Sequence, residues 1–272
     1  MLLYTLYNLR IMKKFLITAF ITFVIASNVS AGSDGENKLS NKRSGAVKDC
    51  FESLNRSTFA LNKGLDKVIF KPVAKAYRGL PSPVRAGTSN ALNNLSSLVT
   101  IPNNVLQGDF SKAGVNTGRF IINTTVGILG LFDVAGKIGF SKYVKEDYGQ
   151  TLGKWGVGPG CYIVLPVLGP STVRDTAGSF VNAFGGDPYY NASVHGNNEF
   201  LSTPQFVTTK ILTGIDFRAK NLETIDNLEK NSLDFYASVR SLYLQDRQRK
   251  IMNANATIEV LYEGDWEEIE TK

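Results

Sequence analysis

One histidine, two cysteines and a glycine-rich ribbon are the residues of this chain whose types could carry chemistry. His195 sits in the loop-like stretch 191–197, where its plain reading is a loop histidine. A Ser-His-Asp hydrolase would have to use it, but no G-x-S-x-G elbow is present to hold a nucleophilic serine. A cysteine hydrolase would pair it with Cys161, which adjoins an apolar run and has no activating charge beside it. Zinc needs clustered Cys and His ligands, and the sequence offers none. Gly156-x-Gly158-x-Gly160 has the outline of a dinucleotide-binding turn, yet Pro159 and an apolar run stand where a phosphate-binding helix should begin. There is no P-loop, and no carboxylate pair is marked by spacing. The expectation is a protein that is not an enzyme and uses no cofactor and no metal.

The ribbon raises a different question. Residues 149–175 read GQTLGKWGVGPGCYIVLPVLGPSTVRD, six glycines and three prolines around the apolar run Tyr162–Leu168. Gly and Pro punctuate loops, but the centre of this stretch avoids water. Residues 121–132, IINTTVGILGLF, are equally uncharged and too short to cross a bilayer as a helix, which takes about 20 residues. Two such patches imply either a buried core or a surface lying in lipid.

Helices must position these stretches. Leu54, Phe59, Leu61, Leu65, Val68 and Ile69 form one apolar face, broken before Pro72. Ser82-Pro83 reads as a cap with proline at the first helical position, followed by Val84, Ala91, Leu92, Leu95 and Leu98. Pro102 predicts an interruption, and Gly108 an end. Asp109 should cap the next helix, which contains Gly114-x-x-x-Gly118, a spacing that lets backbones approach closely. Residues 215–249 read as two helices parted at Asn231-Ser232, with a charged outer face. The fold class expected is all-α.

The ends differ from this body. Lys13-Lys14, the apolar stretch Phe15–Ala26 and Val29-Ser30-Ala31 follow the order of a signal peptide over residues 1–31, with Met12 as a candidate start. Residues 32–49 are polar and read as a flexible leader, residues 50–250 as one helical domain, and residues 251–272 as an acidic, disordered tail. The net charge is +6, with 30 basic and 24 acidic residues. Removing Arg10, Lys13 and Lys14 with the signal leaves 27 against 24, or +3. No basic stripe with interleaved aromatics is present, so nucleic-acid binding is unsupported. In an oxidising compartment Cys50 and Cys161 could pair, but two small half-buried thiols are the preferred reading.

Several stretches together resemble the MlaA/VacJ family. They are the ribbon at 149–175, FESLNRSTFALN (51–62), KPVAKAYR (71–78), PSPVRAGTSNALNNL (81–95), VLQGDFSKAGVNTGRFIINTTVGILGLFDVA (105–135) and SVRSLYLQDR (238–247). The resemblance covers residues 51–249 in order. It implies a ring-like arrangement of amphipathic helices embedded in the outer membrane. A central amphipathic channel would remove mislocalised phospholipids from the outer leaflet and pass them to a periplasmic carrier. A trimeric porin and an inner-membrane ATP-driven transporter are the further partners implied. Family members are commonly lipoproteins with a cysteine directly after the signal, whereas this chain has Ala31-Gly32 there. Cys161 stands where relatives typically have proline.

A phospholipid moving between leaflets must keep its headgroup solvated and its tails in oil, because burying an unpaired charge costs several kcal/mol or more. Irregular backbone at membrane depth is tolerated where it lines a water-filled cavity or is covered by protein. On that ground residues 153–169 are expected at the channel wall or rim, with Gly153, Trp155, Gly158, Pro159, Gly160, Leu165, Pro166 and Gly169 as candidates. Asn55, Arg56, Arg119, Asn123, Arg174 and Asp175 are candidate polar lining. For Arg174 and Asp175 the preferred reading is an ion pair that fixes the loop. Trp155 suits a membrane interface or plain packing. The alternatives are a soluble periplasmic scaffold and a lipid-acting hydrolase that would need His195.

Overall fold

The computed structural model describes residues 47–182, 186–193 and 203–252. The expected signal peptide, the leader up to residue 46, His195 and the tail from residue 253 lie outside the described residues.

The described chain is predominantly helical. Helix α1 (Glu52–Leu65) passes through one π-helical turn, Asp66–Phe70, into α2 (Lys71–Arg78). The sequence predicts a break before Pro72. The wider turn, in which the Lys71 N–H reaches the Asp66 carbonyl, instead leaves Pro72 at the start of a new helical stretch, where a missing N–H costs least.

Helix α3 (Ser82–Leu106) continues through Pro102, where an interruption is expected. Its neighbours Val99, Thr100, Asn103 and Asn104 are buried, and packing there outweighs a local proline cost of about 3 kcal/mol. Ser82 does not cap α3. It is the first helical residue, and the Pro81 carbonyl accepts the first bonds, from the N–H groups of Val84 and Arg85. Asp109 does cap α4 (Phe110–Thr125), accepting from the Lys112 N–H at 3.0 Å. Within α4, a Cβ on Gly118 would come 2.7 Å from the Phe140 ring, so this glycine admits an aromatic side chain. Short helices α5 (Val134–Lys137) and α6 (Tyr148–Lys154) are capped by Asp133 and Asp147.

The all-α expectation holds for the body of the chain, and the glycine-proline ribbon adds one short two-stranded element to it. That element is an antiparallel hairpin of β1 (Tyr162–Leu165) and β2 (Gly169–Thr172), with Tyr162 opposite Thr172 and Leu165 opposite Gly169. Burial alternates along β1, with Tyr162 and Val164 inside, as a strand period requires. Helices α7 (Val173–Val181), α8 (Pro188–Ser193), α9 (Thr203–Lys220), α10 (Leu222–Asn231) and α11 (Phe235–Ile251) follow.

Packing neighbours close a circuit. Helix α2 lies on α9, α9 on α3, α3 on α6, α6 on α11, α11 on β2, and β1 on α1. Helix α4 packs along α3 outside this sequence of neighbours. The apolar clusters are small. One is Tyr162, Val164 and Tyr236 with Phe59, Tyr243 and Leu244, and the other is Ala74, Ala219 and Leu222 with Tyr77.

Cys50 and Cys161 are joined, which corrects the reading of two separate thiols. Their Cα atoms are 5.6 Å apart across a sequence separation of 111 residues. Neighbouring polar contacts bring the two ends together. The Tyr162 N–H donates to the Lys48 carbonyl at 2.8 Å, the Tyr236 hydroxyl bonds the Asp49 carboxylate, and Arg240 donates to the Val47 carbonyl at 2.7 Å.

Candidate functional site

The side chains between α3 and α4 reverse the usual order of a protein interior. Asn94, Ser97, Thr100, Asn103, Asn104, Asn116, Arg119 and Asn123 are buried. Buried polar groups must be hydrogen-bonded, and here they largely bond one another. The Asn116 amide donates to Asn104 Oδ1 at 2.8 Å, the Asn94 amide to Thr124 Oγ1 at 2.8 Å, and the Thr151 hydroxyl to Asn103 Oδ1 at 2.6 Å.

Leu92, Val99 and Ala113 are buried with them, but many of the larger apolar residues of this region face outward. Phe110 is 71% exposed and Leu129 72%. Residues 126–132, which the sequence leaves open between core and lipid, present Val126, Ile128, Leu129, Leu131 and Phe132 at the surface. This loop is fixed. Ile128 and Leu129 have φ of 53° and 56°, a region that side chains with a Cβ rarely enter. The Leu129 N–H donates to the Thr124 carbonyl, Gly130 N–H to Asn123, Phe132 N–H to Gly127, and the Asn90 amide to the Leu131 carbonyl. Backbone strain is thus held in place by polar bonds while the apolar side chains stay outside.

Behind that loop lies a pocket of about 180 Å³ lined by Asn90, Asn93, Asn94, Ser97, Arg119, Asn123, Asp133, Lys142 and Tyr143. Helix α3 supplies the amides of Asn90, Asn93 and Asn94 and the hydroxyl of Ser97, which share one helical face. Arg119 and Asn123, four apart on α4, approach Asp133 together. Arg119 Nη2 lies 2.8 Å from both carboxylate oxygens, and Asn123 Nδ2 lies 3.0 Å from one. Arg119 also donates to the Ser141 carbonyl at 3.0 Å. Burial would raise the Asp133 pKa, but hydrogen bonds from Asn123, the Gly136 N–H and Arg119 outweigh it and hold the carboxyl below its ordinary range. Burial pushes the Tyr143 phenol up to about 12, and its hydroxyl lies 2.8 Å from that of Thr100. Lys142 makes no ion pair with any described residue and leaves a cation facing amides. This lining can solvate a polar headgroup. It contains no nucleophile with a base, and no group of metal ligands occurs among the described residues.

The sequence-predicted residues do not converge on one place. Arg119 and Asn123 meet at this pocket. Asn55 belongs to the hairpin: its amide donates to the Tyr162 carbonyl at 3.0 Å, and its Oδ1 accepts from the Val164 N–H at 2.9 Å. Asn62, two turns further along α1, repeats the pattern with the Leu165 carbonyl and the Val167 N–H. Two asparagines at i and i+7 thereby stand in for a neighbouring strand and cover the edge of β1. That spacing was the available signal for Asn62, which the sequence reading missed. Arg56 pairs with Glu52 and Asp234 and lies 4.4 Å from the centre of the Tyr236 ring.

Arg174 and Asp175 are buried beside the half-buried Arg247, Asp147 and Tyr243. Asp175 accepts from Arg174, from Arg247 at 2.9 Å, and from the Tyr243 hydroxyl at 2.6 Å. Arg247 also reaches Asp147 at 2.7 Å. For both Asp147 and Asp175 burial acts to raise the pKa, and the bonds from Arg247 overcome it and hold the carboxyls low.

Along the ribbon, Gly153 abuts the Ile251 side chain, Pro159 accepts from the Arg174 N–H, and Gly158 and Gly160 carry the chain into the hairpin. Trp155 is exposed while its indole N–H donates to the Leu106 carbonyl at 2.8 Å. Leu165 and Pro166 lead to the hairpin tip, where Val167 and Leu168 project outward before Gly169 turns the chain back.

A family model described as MlaA lipoprotein matches residues 47–250. The chain belongs to the MlaA family. Relatives support this. The Escherichia coli protein called intermembrane phospholipid transport system lipoprotein MlaA is 33% identical over 228 residues, covering 82% of this chain and 83% of its own length. Its Haemophilus influenzae namesake is 29% identical over 244 residues, covering 88% and 90%. A protein of Rickettsia bellii is 36% identical over 208 residues, covering 75% and 77%. A solved structure described as "Structural basis for maintenance of bacterial outer membrane lipid asymmetry" is 33% identical, with a TM-score of 0.65, and covers 77% of this chain and 100% of its own. MlaA membership therefore spans the whole body in which the polar seam and apolar exterior occur.

Proposed function

We propose that this chain is the outer-membrane component of an intermembrane phospholipid transport system. It provides a polar passage through which mislocalised phospholipids leave the outer leaflet and reach a periplasmic carrier. The observation that carries this reading is the inverted polarity: amides, hydroxyls and ion pairs fill the interior while Phe110, Ile128, Leu129 and Phe132 face outward. In water such a surface is costly, since fully burying one side chain of this kind is favourable by about 1.5–3 kcal/mol. In lipid the cost disappears and the polar interior becomes a route for a headgroup. The names of the Escherichia coli and Haemophilus influenzae relatives point the same way.

Among the described residues no helix is long and apolar enough to cross a membrane. The protein in this reading lies in one leaflet, held by its outward apolar side chains and not by a span. It makes and breaks no bond. Export by the residue 1–31 signal, a trimeric porin partner and retrieval as the direction of flow complete the proposal. Residues 153–169 form part of the passage wall or rim. Cysteines placed singly across them should label from the aqueous side in an alternating pattern, and uniform protection would remove them from the passage.

The deciding experiment measures phospholipid exposed at the cell surface with externally added phospholipase, in cells with and without this gene. Increased exposure in the deletion, restored by the gene, is expected. An unchanged level in cells lacking any redundant pathway would refute retrieval. Complete extraction of the protein by carbonate would favour a soluble periplasmic scaffold.

A further inference from the structure

The pocket behind the 126–132 loop has a chemical bias, set by the way its amides point. Asn94 is only 6% exposed. Its Nδ2 donates to Thr124 Oγ1 at 2.8 Å, and the Gly130 backbone closes that side so tightly that a Cβ there would come 2.8 Å from Nδ2. Its Oδ1 accepts from no described residue and is left to the pocket. Asn90 is turned the same way: its Nδ2 donates to the Leu131 carbonyl at 3.2 Å, and its Oδ1 accepts from no described residue. Asn93, exposed on the same wall, makes no side-chain bond with any described residue. The Ser97 hydroxyl donates to the Asn93 carbonyl at 3.1 Å. Asp133 adds a further acceptor. Its Oδ1 takes bonds from Arg119, Asn123 and the Gly136 N–H, but its Oδ2 takes only Arg119 and keeps a lone pair. Asn90 and Asn94 have thus spent donors on the loop and on α4, and they show oxygens inward. The space of about 180 Å³ is many times the ~15 Å³ that one water needs.

We infer that this pocket reads the free end of a phospholipid headgroup and takes ends that carry N–H or O–H donors, ethanolammonium or glycerol, in preference to the trimethylated ammonium of choline. The inference rests on the transport reading above and specifies its substrate class. Water satisfies the open oxygens until a ligand displaces it, and a ligand that cannot donate leaves them desolvated. A site arranged to accept hydrogen bonds therefore rejects an analogue that lacks the donors. Choline methyls would press on the Oδ1 atoms of Asn90 and Asn94 without bonding them, whereas an ammonium or a pair of hydroxyls bonds both. Lys142, exposed beside the amides, suits the phosphate. All three headgroups share that phosphate, so it contributes affinity and no choice. The loop that Asn90 holds carries Ile128 and Leu129 outward, which leaves apolar surface beside the pocket for the acyl chains.

The test uses the purified full chain in detergent. Binding of dihexanoylphosphatidylethanolamine, dihexanoylphosphatidylglycerol, dihexanoylphosphatidylcholine and free ethanolamine is measured by calorimetry. The wild type and Asn94→Leu, Asn93→Leu and Lys142→Gln are compared, each first shown by thermal unfolding to be folded. The wild type should bind the ethanolamine and glycerol lipids about fivefold more tightly than the choline lipid, the worth of about one net hydrogen bond. Asn94→Leu should abolish that preference, and Asn93→Leu, which sacrifices no bond in the fold, should narrow it about twofold. Lys142→Gln should weaken all three lipids alike, by about threefold, and keep the preference. Choline lipid bound as tightly as either of the others, or a preference unchanged in every folded asparagine variant, would overturn the assignment while leaving lipid transport intact. So would a preference that disappears with Lys142→Gln, which would make it a matter of charge. Free ethanolamine bound as tightly as its lipid would give the pocket to a small solute instead. A folded wild type that binds none of the lipids would overturn the transport reading as well.

Discussion

Opening the Cys50–Cys161 bond frees a loop with a sequence separation of 111 residues. In the chain-entropy account the constraint on an unfolded loop of about 100 residues is worth about 4.7 kcal/mol, and native disulfides typically deliver about 2–5 kcal/mol. This loop begins beside α1 and ends at β1, so it encloses α1–α6 and much of the polar seam. Non-covalent contacts at the junction remain after reduction, including the Lys48–Tyr162 backbone bond and the two asparagine bridges from Asn55. The native fold should therefore survive at low temperature while the unfolded state gains freedom. For a body of this size each 1 kcal/mol shifts Tm by about 2–4 °C, which gives an expected loss of roughly 5–20 °C. The assay is thermal unfolding in detergent of the wild type and of a Cys50→Ala/Cys161→Ala double variant, each with and without reductant, with free thiols titrated in parallel. The wild type with reductant should fall to the double variant's Tm, and reductant should not affect the double variant. A wild-type Tm that moves by less than about 2 °C once two thiols are titrated would refute the argument that this bond constrains the chain.

Replacing Arg247 with Met leaves Asp175 buried without its main partner and should cost about 3 kcal/mol, the lower end for a broken buried pair because Arg174 and Tyr243 still reach it; denaturant unfolding reads this directly. The same network sets an acid limit. Asp147 and Asp175 have native pKa values held below the unfolded value of about 3.9, so their stabilisation is fully present above that pH and is lost as pH falls through the depressed native values. Unfolding followed from pH 7 downward should show this decline, and Arg247→Met should flatten it. Gly178→Ala would press a Cβ against the Gly149 backbone where α6 and α7 meet, and should lower stability by about 1–3 kcal/mol on thermal unfolding. Leu129→Asp removes an outward leucine from the 126–132 loop and adds a charge; liposome flotation should show about a tenfold or greater loss of membrane binding, and unchanged flotation would place that loop away from lipid.

The ribbon at 149–175 shows how far a sequence can be read. Its glycines and prolines announce a chain that bends, and its apolar centre announces protection from water, but neither states that Tyr162–Leu165 pairs with Gly169–Thr172. The hairpin forms because α1 lies along it, with Asn55 and Asn62 satisfying the free edge of β1. Those partners are more than 100 residues away in sequence, so no local window contains the cause. Pro102 is the converse case. Local preference predicts an interruption, and the burial of its neighbours in α3 overrides it.

Arg119 and Asn123 were legible as polar residues next to an apolar run, and their i, i+4 spacing puts them on one face. Their convergence on Asp133 was not legible, because it depends on where the following loop returns.

Two matters were settled by the residues alone: a helical chain follows from the spacing of apolar and capping residues, and the family follows from long motifs in fixed order. Tertiary structure decided the rest. Hydrophobic periodicity identifies a helical face but does not say whether that face meets protein or lipid, since both remove it from water equally well. Only the packed chain puts asparagines such as Asn103 and Asn104 inside and leucines such as Leu129 and Leu168 outside. It likewise joins Cys50 to Cys161, since proximity is a property of the fold and not of spacing along the chain.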